Sequence, residues 1–168
     1  MKPLVSIFMG STSDWSIMQK TAELLNEFKI PFEIHALSAH RTPDEVEKFA
    51  KGAMAKGIKV IIAAAGMAAH LPGVIAAMTP LPVIGVPIKS SLDGMDALLA
   101  IAQMPPGIPV ATVAIDGSLN AGILAAQIIA VGDKAMMQQI IAYKKNLKDK
   151  IVKANKELAK YKFKYRVD

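Results

Sequence analysis

KVIIAAA (59–65) decides the fold. After Lys59 the run is apolar and lacks the polar alternation of a half-exposed strand, the pattern of a strand covered on both faces. Comparable runs stand at PLVSIFM (3–9), FEIHAL (32–37), PVIGVPI (82–88) and PVATVAI (109–115). Segments of helical spacing lie between them. Trp15, Met18, Ala22, Leu25 and Phe28 share one face of a helix over 14–28. Thr42 as N-cap and Pro43 at the first helical position open a second, reaching about Lys56. Further helices are expected over 71–78, 95–102 and 119–131. Strand–helix units repeated at this length predict an α/β fold: a five-stranded parallel sheet, right-handed crossovers and helices on both faces. Such sheets hold ligands outside the carboxyl ends of their strands. Chemistry is therefore expected just after residues 9, 37, 65, 88 and 115.

Composition narrows the classes. The 168 residues are 52% hydrophobic and 20% charged, a globular balance, and contain no cysteine. Disulfides, thiolate metal sites and cysteine nucleophiles are thereby excluded. The apolar runs stop well short of the roughly 18–20 residues that cross a bilayer. MKPLVSIFMGSTSD (1–14) has no small-residue cleavage site, so a cytoplasmic protein without membrane association is expected. The net charge is +6, but its excess is local. Residues 134–168 carry 11 Lys/Arg against Asp149, Glu157 and Asp168, while the rest of the chain is slightly acidic. A basic tail can hold RNA electrostatically; it can equally be a solvated helix face, and no nucleic-acid partner is expected. Met137, Ile140, Ile141, Leu147, Ile151, Ala154 and Leu158 form an apolar stripe along a helix predicted over about 134–160, about 40 Å long. That length favours burial against another copy of the chain, the alternative being a helix folded back on its own sheet. The organisation expected is one α/β catalytic domain, 1–133, and a basic C-terminal helical extension, 134–168, packing on neighbouring subunits.

Three strand ends carry chemistry. Gly10-Ser11-Thr12-Ser13-Asp14 sets a tight turn and three hydroxyls at the start of a helix, whose free N–H groups attract anions. Ser11 and Ser13 suit a phosphate and Asp14 a sugar hydroxyl, unless the serines simply cap the helix. Ser38-Ala39-His40-Arg41-Thr42-Pro43 offers a planar guanidinium for paired bonds to phosphate, beside a histidine able to exchange a proton near neutral pH. Ala65-Gly66-Met67-Ala68-Ala69-His70-Leu71 permits close backbone approach to a ligand. Its alternative reading is a tight helix–sheet contact, with His70 an ordinary half-buried histidine. Ser90 to Asp96 is read as a lid or a subunit contact, and His35 has no assigned role. No His, Asp and Glu cluster has metal-ligand spacing.

These segments together, GSTSDW (10–15), SAHRTP (38–43), AGMAAHLPG (65–73), LPVIGVP (81–87), QMPPGIPVATVAI (103–115) and NAGILAA (120–126), resemble the N5-carboxyaminoimidazole ribonucleotide mutase family of purine biosynthesis in its class I form, from about residue 4 to 131. The resemblance implies a flavodoxin-like three-layer sandwich, a homo-octamer, and a reaction without metal or cofactor. That reaction moves a carboxylate from the exocyclic nitrogen of the imidazole ribonucleotide to ring carbon 4. By motif position, Ser11, Asp14 and Arg41 bind the ribonucleotide, with Ser13 and Ser38 at the phosphate and Asp14 at the ribose. His40 transfers the proton. His70, Ala65, Gly66 and Leu71 line the base and carboxylate pocket. Met67 stands where the family commonly has glycine, and Ala97 and Ala100 stand where it commonly has serine. Two alternatives remain: an aminoimidazole ribonucleotide carboxylase using free carbon dioxide, and a non-catalytic nucleotide- or RNA-binding protein.

Overall fold

The computed structural model describes residues 1–167, so Asp168, the end of the expected extension, lies outside the described residues. Five parallel strands, β1 (Val5–Met9), β2 (Phe32–Ala36), β3 (Val60–Gly66), β4 (Val83–Ile88) and β5 (Ala111–Thr112), pair in the order β2-β1-β3-β4-β5. The helices are α1 (Trp15–Glu27), α2 (Pro43–Lys56), α3 (Leu71–Met78), α4 (Met95–Ala102), α5 (Ser118–Ala130) and α6 (Lys134–Leu158). This is the flavodoxin-like order.

Side chains alternate between two cores at the two-residue period of a strand. Val5, Ile7 and Met9 of β1, with Val60, Ile62 and Ala64 of β3, pack under α1, α5 and the start of α6. Phe8, Ile61, Ala63 and Ala65 pack on the other side, with residues of α2, α3 and α4. The uninterrupted burial of β3 follows from this double cover. α4 approaches β4 so closely that a Cβ on Gly85 would stand 2.3 Å from Ile101 Cγ2, so glycine is required there. On the opposite face a reciprocal pair of bonds locks two helices: Thr21 Oγ1 donates to Ser118 O (2.7 Å) and Ser118 Oγ donates to Ile17 O (2.6 Å).

Two expectations are corrected. The strand read at 109–115 shrinks to Ala111–Thr112. Val113 N–H still donates to Gly85 O and Asp116 N–H to Pro87 O, but Pro87 has no N–H to return a bond, and the ladder ends. Thr42 precedes α2 without capping it. Its Oγ1 instead accepts from Ser38 N–H (2.9 Å) and donates to Ser38 O (3.1 Å), closing the loop before the helix. Asp133, which was not singled out, does cap α6, accepting from Met136 N–H at 3.0 Å.

The stripe expected on α6 is mostly uncovered. Of its members Ile140 is buried, and its buried neighbour is Met136 rather than the expected Met137, while Tyr143 meets Phe28 edge-on at 5.5 Å. Met137 and Ile141 are 37% and 53% exposed, and beyond Tyr143 Leu147, Ile151 and Leu158 are 45%, 71% and 51% exposed. Among the described residues no helix is long and apolar enough to cross a membrane.

Beside its backbone ladder with β1, the edge strand β2 carries a carboxylate that gathers several donors. Glu33 accepts from the buried Ser6 hydroxyl (2.8 Å) and from Lys56 Nζ, and its Oε1 lies 3.2 Å from His35 Nε2. Burial alone acts to raise the Glu33 carboxyl, but these donors outweigh it and hold its pKa below the ordinary 4.5. A lowered carboxyl stabilises the fold above its unfolded pKa and loses that contribution as pH falls through the folded one. Glu33→Gln is therefore expected to flatten the loss of stability below about pH 4.5, read as thermal midpoint against pH.

Candidate active site

Three of the five strand ends converge. The turn after β1 supplies Ser11, Ser13 and Asp14; the loop after β2 supplies Ser38, His40 and Arg41; the segment after β3 supplies Ala65, Gly66, His70 and Leu71. They line one cavity of about 440 Å3. The strand order explains the hollow. β1 and β3 are neighbours, yet the chain leaves β1 for α1 on one face and β3 for α3 on the other, opening a crevice between the departing loops. Ile88, the last residue of β4, and Ser90, just past it, complete the wall. The strand-end rule reached Ser90, but the spacing of its segment gave no reason to choose it.

The loops are held to one another as well as juxtaposed. Arg41 Nη2 donates to Gly10 O at 2.7 Å, tying the second loop to the first. Ser38 Oγ accepts from the N–H groups of His40 and Arg41, both at 3.3 Å. Ser11 Oγ accepts from Ser13 N–H at 3.3 Å, so this serine does cap the short 3-10 turn Thr12–Asp14. Each of these two oxygens uses its lone pairs on backbone donors and keeps its own O–H to give. Hydroxyls so arranged, beside a guanidinium, favour an anion over a neutral ligand.

The histidines, thirty positions apart in the chain, meet. His40 Nε2 lies 2.8 Å from His70 Nδ1, the rings nearly perpendicular at 79°. A nitrogen–nitrogen hydrogen bond requires one bridging proton, since two donors would repel and two acceptors cannot bond. A proton accepted on one outer nitrogen can thus be balanced by release from the other outer nitrogen of the pair. Both rings are solvent-exposed and face a wall of alanine and glycine. Reading the loops singly gave two separate histidines; only folding gives a coupled pair.

Met67 adopts a left-handed conformation, φ +54°. A Cβ residue in that region costs roughly 1–2 kcal/mol relative to an ordinary backbone, a penalty glycine escapes. The Met67 side chain lines the cavity and is 60% exposed. Ala97 is fully buried in the apolar core, where a serine hydroxyl would need a partner.

A larger hollow of about 720 Å3 lies between α1 and α6, lined by Lys20, Glu23, Tyr143, Leu147 and Lys150 among others. It is wider but holds no histidine or hydroxyl cluster, so the smaller one is the candidate site. Among the described residues no three His, Asp or Glu side chains stand together as a metal-ligand set.

Fold and geometry define a flavodoxin-like α/β protein whose strand ends enclose a cavity where hydroxyls and a guanidinium suited to an anion stand beside a hydrogen-bonded histidine pair. The chain belongs to the AIR carboxylase family, whose pattern matches residues 4–150. The match runs past the limit of about residue 131 read from the motifs and takes in much of α6, so this part of the helix is a family element. The chain is 53% identical to the N5-carboxyaminoimidazole ribonucleotide mutase of Pyrococcus horikoshii over 94% of its length and 89% of the relative's. It is 49% identical to the mutase of Mycobacterium leprae, covering 96% and 95%. The phosphoribosylaminoimidazole carboxylase of Schizosaccharomyces pombe is 52% identical over 94% of this chain, which spans 29% of that longer protein. In three dimensions the chain is similar to Treponema denticola PurE, with a TM-score of 0.85, 33% identity and coverage of 93% and 98%.

Asp14 gives the site a measurable cost. Burial raises its carboxyl pKa above 3.8, against the lowering effect of bonds from Ser13 and Ser11. A raised carboxyl favours folding most below its unfolded pKa, and that contribution is lost as pH rises through the folded one. Asp14→Asn is expected to melt at or above the temperature of the parent at neutral pH, while losing affinity for a ribonucleotide. Calorimetry and equilibrium binding on the same preparation check both.

Proposed function

We propose that this chain is an N5-carboxyaminoimidazole ribonucleotide mutase, an isomerase of de novo purine biosynthesis acting in the cytoplasm. The observation that carries the reading is the His40–His70 hydrogen bond, set in a cavity with an anion-suited turn on one side and a small-residue wall on the other. The relatives from Pyrococcus horikoshii and Mycobacterium leprae, matched over 89% and 95% of their lengths, carry the mutase name.

In this reading Arg41, Ser11, Ser13 and Ser38 take the phosphate, and Asp14 accepts a hydrogen bond from the ribose. Ala65, Gly66 and Leu71 leave a flat slot for the imidazole. The reaction is a balanced exchange. The exocyclic N–C bond of the carbamate breaks, releasing carbon dioxide, and that nitrogen gains a proton. Ring carbon 4 attacks the carbon dioxide, forms the new C–C bond and then loses its proton. One proton is delivered and one recovered, so no co-reactant is consumed. His40 performs both transfers in turn and His70 holds its ring and takes part in the relay. Keeping the freed carbon dioxide beside the ring makes its recapture intramolecular.

His40→Asn is expected to reduce kcat by about 10²–10⁴-fold, the range for a lost general acid–base, with ribonucleotide affinity largely retained. Activity at the parental level would reject the proton-transfer role. Substrate choice is read with the N-carboxylated ribonucleotide and, separately, with aminoimidazole ribonucleotide plus bicarbonate. Turnover of the second mixture alone would make the chain a carboxylase.

We further propose that residues 1–133 form the catalytic unit and that the 134–168 extension joins subunits of a homo-oligomer, an octamer. The uncovered Leu147, which lines the α1–α6 groove, and Ile151 and Leu158 further along the helix support this, since they continue without cover an apolar stripe that Ile140 begins in the core. A cut should spare Met136, Ile140 and Tyr143, which the chain buries in its own core. Ending the chain after Lys145 is expected to yield smaller assemblies by light scattering. If assembly is unchanged but RNA affinity falls, the tail is a nucleic-acid arm.

A further inference from the structure

Met67 is the one long apolar side chain of the 65–70 segment, amid alanine, glycine and His70. The backbone that carries it is pinned. A Cβ on Gly66 would come within 3.2 Å of Ile88 O and 3.4 Å of Ser90 Cβ, so this stretch lies hard against the end of β4. Ala69, two residues on, is 1% exposed. Between these two anchors Met67 is held at φ +54°, in a conformation that suits glycine far better. The other large apolar residues of the cavity, Leu71 and Ile88, are 3% and 7% exposed and form its floor. Met67 alone is free above them, and its unbranched thioether chain can adopt many rotamers.

We propose that Met67 is a lid over the carboxylate end of the cavity, a residue that sets how completely carbon dioxide is retained between release and recapture. This rests on the mutase reading. With a ribonucleotide bound, folding the thioether over the imidazole buries apolar surface on both partners and shuts out water. The interval it protects begins when the N–C bond of the carbamate has broken and ends when carbon 4 has bonded to the same carbon dioxide. Escape in that interval leaves aminoimidazole ribonucleotide, its nitrogen protonated, and free carbon dioxide. Rotation of the flexible thioether chain closes the mouth over a bound ligand and opens it to let substrate pass.

The test converts unlabelled N-carboxylated ribonucleotide in 13C-bicarbonate buffer, with spontaneous decarboxylation subtracted. It reads two quantities per turnover: 13C in the new carboxylate, and aminoimidazole ribonucleotide released. Met67→Gly fits the left-handed backbone and removes the lid, and both quantities are expected to rise by about tenfold, a modest change in barrier difference. Met67→Leu keeps apolar bulk at the mouth and should remain within about twofold of the parent. A Met67→Gly enzyme that turns over and leaks no more than the parent overturns the lid, as does Met67→Leu leaking as much as Met67→Gly. Failure of the parent itself to convert the N-carboxylated compound would instead sink the mutase reading.

Discussion

The adjacency of β1 and β3 in a parallel sheet governs everything else in this molecule. Because both strands point the same way, their carboxyl ends reach one edge together; because their helices depart to opposite faces, the loops at that edge must separate. The gap is a consequence of connectivity, and no side chain has to be spent on holding it open. What the side chains do is furnish it. β1 is hydrogen-bonded to β2 on its other side, which brings the His–Arg loop to the same edge. A parallel sheet ordered differently would have set the same motifs apart along that edge.

Within that gap the polar groups follow a consistent economy. Ser11 and Ser38 use their oxygens on backbone N–H groups, leaving O–H donors facing inward, and Arg41 spends one N–H on Gly10 O while its fork retains others. The donors are thus ordered before an anion arrives, which reduces what binding must immobilise. The carboxyl of Asp14 is the counterweight, kept where burial disfavours its charge. Glu33, at the β2 edge, shows the opposite case: a carboxylate with enough donors to be held ionised. The first arrangement fits a ligand site and the second a structural tie, although both are acidic residues near β-strand backbone.

Much of this was legible in the sequence because period and punctuation are local properties. The unbroken apolar run of β3, Pro43 at the head of α2 and the stripe on α6 each state their element within a few residues. The loops were placed by the strand-end rule, which needs only the strands. What escaped depends on contacts and backbone angles that a local pattern does not state. Pro87 ends β5 by a bond missing from the neighbouring strand, so PVATVAI (109–115) reads as a full strand when taken alone. Thr42 looks like a cap until Ser38 is seen beside it. The His40–His70 bond has no local signature, because it arises where the loops after β2 and β3 meet across the end of β1. The strain at Met67 is likewise invisible, since a methionine in a run of small residues does not announce its backbone angle.

The account comes down to where a ribonucleotide lodges. The most direct measurement is a crystal structure of the full chain with 4-carboxy-5-aminoimidazole ribonucleotide bound. The expected density has the phosphate among Ser11, Ser13 and Arg41, and ring carbon 4 within proton-transfer reach of His40, with His70 alongside. Density in the groove between α1 and α6, with the three loops empty, would contradict it.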